Sequence, residues 1–251
     1  MVFVTGDCHA DFIKFSSDRF KEQRNLTLND IVIVCGDFGI WHDDGEERYW
    51  LKWLNKKQFT TVFVDGNHEN FDRLNSCEFE TVEFHGGTAH KIRDNIYHLM
   101  RGQIYNFEGK LFWCFGGASS HDISDGILDI DDFDSIYDYR STINKWNIER
   151  KMFRINHISW WKEEMPSQEE MDFGKDMLAS KCNEVDYIIT HCCPQEISSF
   201  LGFHDPDELT MYFNDIAHTT KFTRWYFGHY HMENVIFGKF IVLYDRIERI
   251  I

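Results

Sequence analysis

The chain has 251 residues, 43% hydrophobic and 16% aromatic, with 26 Lys and Arg against 42 Asp and Glu. That composition excludes a disordered chain. The formal net charge of −16 argues against an extended nucleic-acid-binding surface, so an anionic substrate would need local positive charge such as a metal.

Three prolines, no Gly/Ser tract and no internal repeat give no sign of a linker, and residues 1–251 read as a single domain. Seven cysteines without zinc-like pairing read as reduced thiols. No apolar run is long enough to span a membrane. The opening "MVFVTGD" enters a strand at once and leaves no room for a signal peptide, so the expected location is cytoplasmic.

In chain order, Val2–Thr5 is a short apolar run that ends in "GDCHAD". Asp11–Lys21 follows as a helix, with Phe12, Phe15 and Phe20 near one face. Ile31–Cys35 ends in "GDFG", and a helix over Glu46–Asn55 carries Tyr49, Trp50, Trp53 and Leu54. Thr61–Asp65 ends in "GNHE". From 96 to 116 the pattern changes to strands joined by short turns, with "EGK" as a hairpin turn.

Residues 118–165 read as an insertion with seven aspartates between 122 and 138. Their spacing lacks the glycine of a calcium-binding loop, which leaves a solvated acidic loop or a flap over a site. Ser167 with Glu170 makes a capping box for a helix reaching about residue 180. Tyr187–Thr190 ends in "HCCP", and Asp205-Pro206 opens a helix with Leu209, Tyr212, Phe213 and Ile216 on one face. Trp225–Phe227 ends in "GHYH", and the tail reads as a further hairpin. Alternating strands and helices predict a layered α/β fold with one mixed sheet or two.

Five strand ends therefore offer Asp7, His9, Asp37, Asn67, His68, His191, His229 and His231. In such folds, sites gather at the carboxyl ends of strands. Asp7 and His9 stand two apart on an extended segment and can point to one side, and His229 and His231 repeat that geometry. One such pair alone is usually a turn. Five in this order indicate a metal site. Carboxylate with imidazole suits Mn²⁺, Fe or Zn²⁺ better than Ca²⁺ or Mg²⁺. The ligands outnumber the needs of one ion, and two ions sharing a carboxylate form a phosphoester-cleaving arrangement.

The series Gly6-Asp7-Cys8-His9, Gly36-Asp37, Gly66-Asn67-His68-Glu69, Thr190-His191 and Gly228-His229-Tyr230-His231 resembles the calcineurin-like metallophosphoesterase family. The resemblance implies a four-layer α/β/β/α sandwich, with two mixed sheets flanked by helices and a dinuclear centre at the strand ends. By the family pattern Asp7, His9, Asp37 and His231 would hold one ion. Asp37, Asn67, His191 and His229 would hold the other, with Asp37 bridging. The ions would be divalent or trivalent, manganese foremost with iron or zinc as alternatives. A water or hydroxide between them would attack phosphorus. His68 would stay off the metals as the catalytic imidazole beside the substrate.

The second motif departs from the family. Many members read Gly-Asp-x-x-Asp there, and the protein phosphatases continue with Arg-Gly. This chain reads "GDFGIW", with Ile40 and no arginine nearby. Arg101 is a candidate substitute clamp or a surface ion pair. His121 with Asp122 is a candidate substrate contact or a polar loop, and Trp160-Trp161 lines a pocket or packs in the core. The acidic balance favours a small phosphorylated substrate, mono- or diester. The alternatives are a protein phosphatase or a nuclease acting in a complex, and a metal-stabilised scaffold without turnover. The sequence fixes no oligomeric state.

Overall fold

The computed structural model describes all 251 residues. Val2–Thr5, Ile31–Val34, Thr60–Phe63 and Ile96–Leu99 run parallel, side by side. Gly87–Arg93 and Glu80–Phe84 extend this sheet antiparallel on one edge, and Glu248–Arg249 does so on the other. A second sheet has Lys110–Phe115, Tyr187–Thr190, Arg224–Phe227 and Phe240–Val242 in parallel. Ile104–Phe107 and Asn234–Ile236 close its edges antiparallel. Both sheets are mixed, with seven and six strands. The hairpin at "EGK" pairs Phe107 with Lys110.

Side-chain alternation explains why the central strands are apolar throughout. Val2, Val4, Ile31 and Ile33 face inward and meet Phe112, Cys114, Ile189 and Tyr226 of the opposite sheet. Their neighbours Phe3, Val32 and Val34 face outward onto Phe12, Phe15, Leu51, Leu54 and Leu74. On the far side, Trp113, Phe115, Ile188 and Trp225 pack under Met171, Leu178, Leu209 and Phe213 of two helices. The result is the expected α/β/β/α sandwich. Each such buried side chain contributes about 1.5–3 kcal/mol.

Three of the expected helices form. Gly45–Leu54 is capped by Asp44, Gln168–Ala179 by the Ser167/Glu170 box, and Glu208–Thr219 by Asp207. Asp11–Lys21 does not form one. It breaks into 3₁₀ turns at Ile13–Phe15 and Lys21–Asn25, because Ser16 is extended. The Gln23 amide instead donates to the Phe15 and Phe20 carbonyls. The three phenylalanines are buried all the same.

The aspartates lie mostly in exposed turns and loops, as expected, but the 118–165 segment around them also folds into regular elements. Between 118 and 165, Gly126–Leu128 pairs in parallel with Phe153–Ile155 across the helix Ile136–Ile148. The aspartates serve this unit locally. Asp125 accepts from the Met152 amide, Asp129 from Asp131 and Asn156, and Asp122 pairs with Arg154. Trp161 is buried and donates its indole N–H to Asp72, so packing is its role. No helix is long and apolar enough to cross a membrane.

Candidate metal centre

The loops after the parallel strands are tied to one another through backbone groups. The Cys8 and His9 amides both donate to the Asp37 carbonyl, at 3.0 and 2.7 Å. Asp37 Oδ1 accepts from the His68 amide at 2.8 Å, and the Asp7 carboxylate accepts from the His229 amide at 3.0 and 3.2 Å. Buried Glu69 gathers the Phe38, Gly39 and Ile40 amides, which fixes the turn after Asp37. Lys14 Nζ donates to the Gly6, Asp7 and Tyr244 carbonyls beneath the first loop.

This tight crossing leaves no room at two glycines. A Cβ on Gly66 would overlap the Asp37 carboxylate, and one on Gly228 would overlap that of Asp7. His9, Asp37, His229 and His231 all have positive φ, between 45° and 68°. Left-handed backbone in non-glycine residues is disfavoured, and it gathers at functional sites. Here four of the candidate residues adopt it, in the loops after Val2–Thr5, Ile31–Val34 and Arg224–Phe227.

The donors converge. Asp7, His9 and His231 can present ligand atoms within 4.8 Å of one another; so can His9, Asp37 and His68, and so can Asp7, Asp37 and His191. His231 Nε2 lies 3.2 Å from Asp7 Oδ2, and His9 Nδ1 lies 3.7 Å from Asp37 Oδ2. His191 Nε2 lies 3.3 Å from the other Asp37 oxygen, Oδ1. The two oxygens of one carboxylate thus face two different imidazoles.

Outer contacts aim these ligands. His191 Nδ1–H donates to the Cys35 carbonyl at 2.7 Å, which leaves Nε2 for the centre. The Asn67 amide nitrogen donates to Ser120 Oγ at 3.3 Å, so its oxygen turns toward His191 Nε2, also 3.3 Å away. Ser120 in turn donates to Glu164, whose buried carboxyl is pushed up to about 7 by desolvation.

The electrostatics suit a cation. The Asp7 and Asp37 side chains are almost wholly buried and share one small volume. Burial pushes the Asp37 carboxyl up, but His191, His68 and His9 outweigh it and hold it well below the usual carboxylate range. Burial lowers His191, yet Asp37 and Asp7 drive it up to about 10. Burial holds His9 and His229 below their ordinary value, so their nitrogens keep lone pairs. His9 Nε2 and His231 Nε2 point at each other across 3.0 Å. Buried carboxylates and converging nitrogens fit Mn²⁺, Fe or Zn²⁺ by donor chemistry.

The sequence model of the calcineurin-like phosphoesterases matches residues 1–233. The chain belongs to this family. It is also 24% identical over 142 residues to lariat debranching enzyme A of Xenopus laevis, a match that takes in 50% of this chain and 25% of that protein. The chain therefore spans about a quarter of that relative's length. Family membership and Asp/His clusters that could hold metal agree with one another.

The structure brings Asp7, His9, Asp37, Asn67, His191 and His231 close to one another. Two imidazoles sit differently. His68 joins a cluster with His9 and Asp37. His229 lies against His191, with ring centroids 4.9 Å apart, and turns its Nε2 to within 2.8 Å of His121 Nε2. His121 thus stands at the rim of the centre. Beside it opens a cavity of about 360 Å³, lined among others by His229, Phe203, Tyr230 and Asp205.

Arg101 requires a correction. It is buried, and its guanidinium is committed to Asp65 at 2.6 and 2.9 Å, to Glu170, and to the Glu163 carbonyl. It therefore anchors the residue two places before Asn67 from behind, and neither the clamp nor the surface-pair reading holds. Asp65 also takes a hydrogen bond from His98, which touches His90.

The residue that sequence reading missed is Arg154. Its Nη2 lies 2.9 Å from His68 Nε2. The available signal was a single arginine between apolar neighbours in "FRIN", on a strand where alternation buries it. That signal names no partner 86 residues away.

Proposed function

We propose that this chain is a metal-dependent phosphoesterase whose centre takes two ions bridged by Asp37 and acts on a small phosphorylated compound. The observation that carries the reading is Asp37 itself. Its Oδ1 faces His191 and its Oδ2 faces His9, so each oxygen belongs to a different ligand set. Asp7, His9 and His231 would complete one set; Asn67, His191 and His229 would complete the other. Ions so held supply Lewis acidity toward phosphoryl oxygens and lower the pKa of a water.

The protein's own part is placement and proton handling. Asn67 is a neutral donor, so it leaves the centre more positive than a third carboxylate would. His68 is fixed at its backbone by Asp37 and keeps an unprotonated ring: burial and the nearby Arg154 and His9 outweigh Asp37 and lower it to about 4. A positioned neutral imidazole of this kind can take a proton from a water and then pass it to the leaving oxygen. The relative's printed name concerns lariats; with a quarter of that protein matched and a charge of −16 here, a small substrate is the better reading.

The test strips the protein with chelator, restores Mn²⁺, Fe²⁺ or Zn²⁺ in turn, and measures p-nitrophenyl phosphate against bis-p-nitrophenyl phosphate. Metal-restored hydrolysis is expected, and the faster substrate separates phosphatase from phosphodiesterase. No turnover on either, with two ions bound, would favour the scaffold reading.

A further inference from the structure

The 118–165 segment makes several contacts with the body of the protein. His157 Nδ1 meets the Asp72 carboxylate at 2.9 Å, the Trp161 indole donates to the same group at 2.7 Å, and Ser120 accepts from Asn67. Arg154 belongs to the segment but is held in another way. Its Nε and Nη2 grip Asp122 at 2.7 and 3.1 Å, and its Nη1 donates to the Ser159 carbonyl at 3.1 Å. Asp122 and Ser159 both lie within the segment. The one hydrogen bond that Arg154 makes outside it goes to the His68 imidazole.

That is a poor arrangement for a tether. Tethering a segment calls for a carboxylate or a carbonyl on the body, and the Asp72 contacts already provide it. The Arg154 side chain is only 7% exposed, and burying a cation is unfavourable unless its hydrogen bonds are used. A guanidinium has five N–H groups. Four are engaged here, one of them with a neutral imidazole nitrogen, and one on Nη1 is uncommitted. Asp122 and Ser159 hold the plane while one edge stays turned to the centre. No other arginine of the chain is hydrogen-bonded to a residue of the centre, and the second sequence motif supplies none.

We propose that Arg154 is a substrate-contacting residue that donates to a non-bridging phosphoryl oxygen beside His68. The 118–165 segment is then part of the active site, and it delivers the guanidinium that "GDFGIW" lacks. This assignment rests on the phosphoesterase reading for its substrate class, and its test does not need turnover.

The test measures binding of inorganic phosphate to the metal-loaded protein by calorimetry, with metal content and circular dichroism as controls. Arg154→Met keeps the length of the stem and removes the charge. Arg154→Gln retains a hydrogen-bonding head for Asp122 and Ser159, in case the first variant fails to fold. Either is expected to weaken phosphate binding by about tenfold to a hundredfold, the usual worth of a charge-assisted contact. On a hydrolysed ester, KM should rise alongside. Wild-type phosphate affinity in a folded, metal-replete variant would overturn the assignment, as would a metal-loaded wild type that binds no phosphate. A wild type that binds phosphate through Arg154 yet turns over no ester would instead count against the hydrolase reading alone.

Discussion

The metal centre and the 118–165 segment meet at His68, and they are built by opposite means. The centre is held by backbone. Amides of residues 8, 9, 38, 39, 40, 68 and 229 donate to Asp37, Glu69 or Asp7, and four of the inward-facing residues sit in left-handed backbone that only such overdetermined surroundings sustain. The segment is held through side chains: the carboxylate of Asp72, the hydroxyl of Ser120, and the guanidiniums of Arg154 and of Arg101, which donates to the Glu163 carbonyl. Ligand spacing has to be exact for a metal, whereas substrate contacts can be exchanged. The molecule places its rigid construction under the first and its replaceable contacts around the second.

This contrast can be broken most severely at Asp37, the carboxylate proposed to bridge the ions. Asp37→Ala should abolish metal uptake at both ligand sets and lower any hydrolysis more than about a thousandfold, since ligands and activation fail together. Metal analysis after dialysis, run beside rate measurements, checks this. Retention of two ions would remove Asp37 from the bridging position. Next comes the meeting point. His68→Ala should keep the metals and lose about 10²- to 10⁴-fold in turnover, the range for a lost proton-transfer group. Full activity on the true substrate would show that His68 has no such part.

A smaller effect is expected at Ser120, where the two constructions touch. Ser120→Ala frees the Asn67 amide and should lower metal affinity by about 10- to 100-fold at that set, as outer-sphere losses do. Competition with a chromogenic chelator measures it. The smallest effect belongs to the segment's tether. His157 is raised above its ordinary value of 6.5, chiefly by the hydrogen bond it donates to Asp72. A raised histidine stabilises the fold below its unfolded pKa, and that contribution disappears as pH climbs through the folded pKa. Asp72→Asn keeps an acceptor for Trp161, and both partners of the ion pair are more than half exposed or close to it. It should therefore cost below about 1 kcal/mol at pH 5.5 and next to nothing at pH 9. Urea denaturation at the two pH values would tell, and an equal loss at both would place the effect in packing.

The strand ends were legible because they depend on local pattern. An apolar run, a glycine and a donor residue mark each of "GDCH", "GDFG", "GNHE" and "GHYH" without reference to the rest of the chain. The three capped helices were legible for the same reason. What stayed hidden was long-range. Arg101 and Arg154 are each one arginine in a short motif, and only the fold decides that the first meets Asp65 and the second His68. The aspartates after residue 121 suggested solvent by composition and most are exposed, but composition did not show that several also cap turns and bind neighbouring amides. The failed helix at Asp11–Lys21 had the right apolar residues; its Ser16 backbone and the Gln23 amide settled the local structure.

The division of the ligands between the two sheets has a consequence for assembly. Asp7, His9, Asp37 and Asn67 follow strands of one sheet, and His191, His229 and His231 follow strands of the other. Neither sheet alone can offer the mixed carboxylate and imidazole set that joins Asp7 and Asp37 to His191. During refolding, a chain with only the first sheet formed could offer His9, Asp37 and His68 but not His191, His229 or His231, so tight metal uptake would wait for the second sheet. The moment of metal uptake would then time the docking of the sheets, and an ion would act as a clasp that resists their separation.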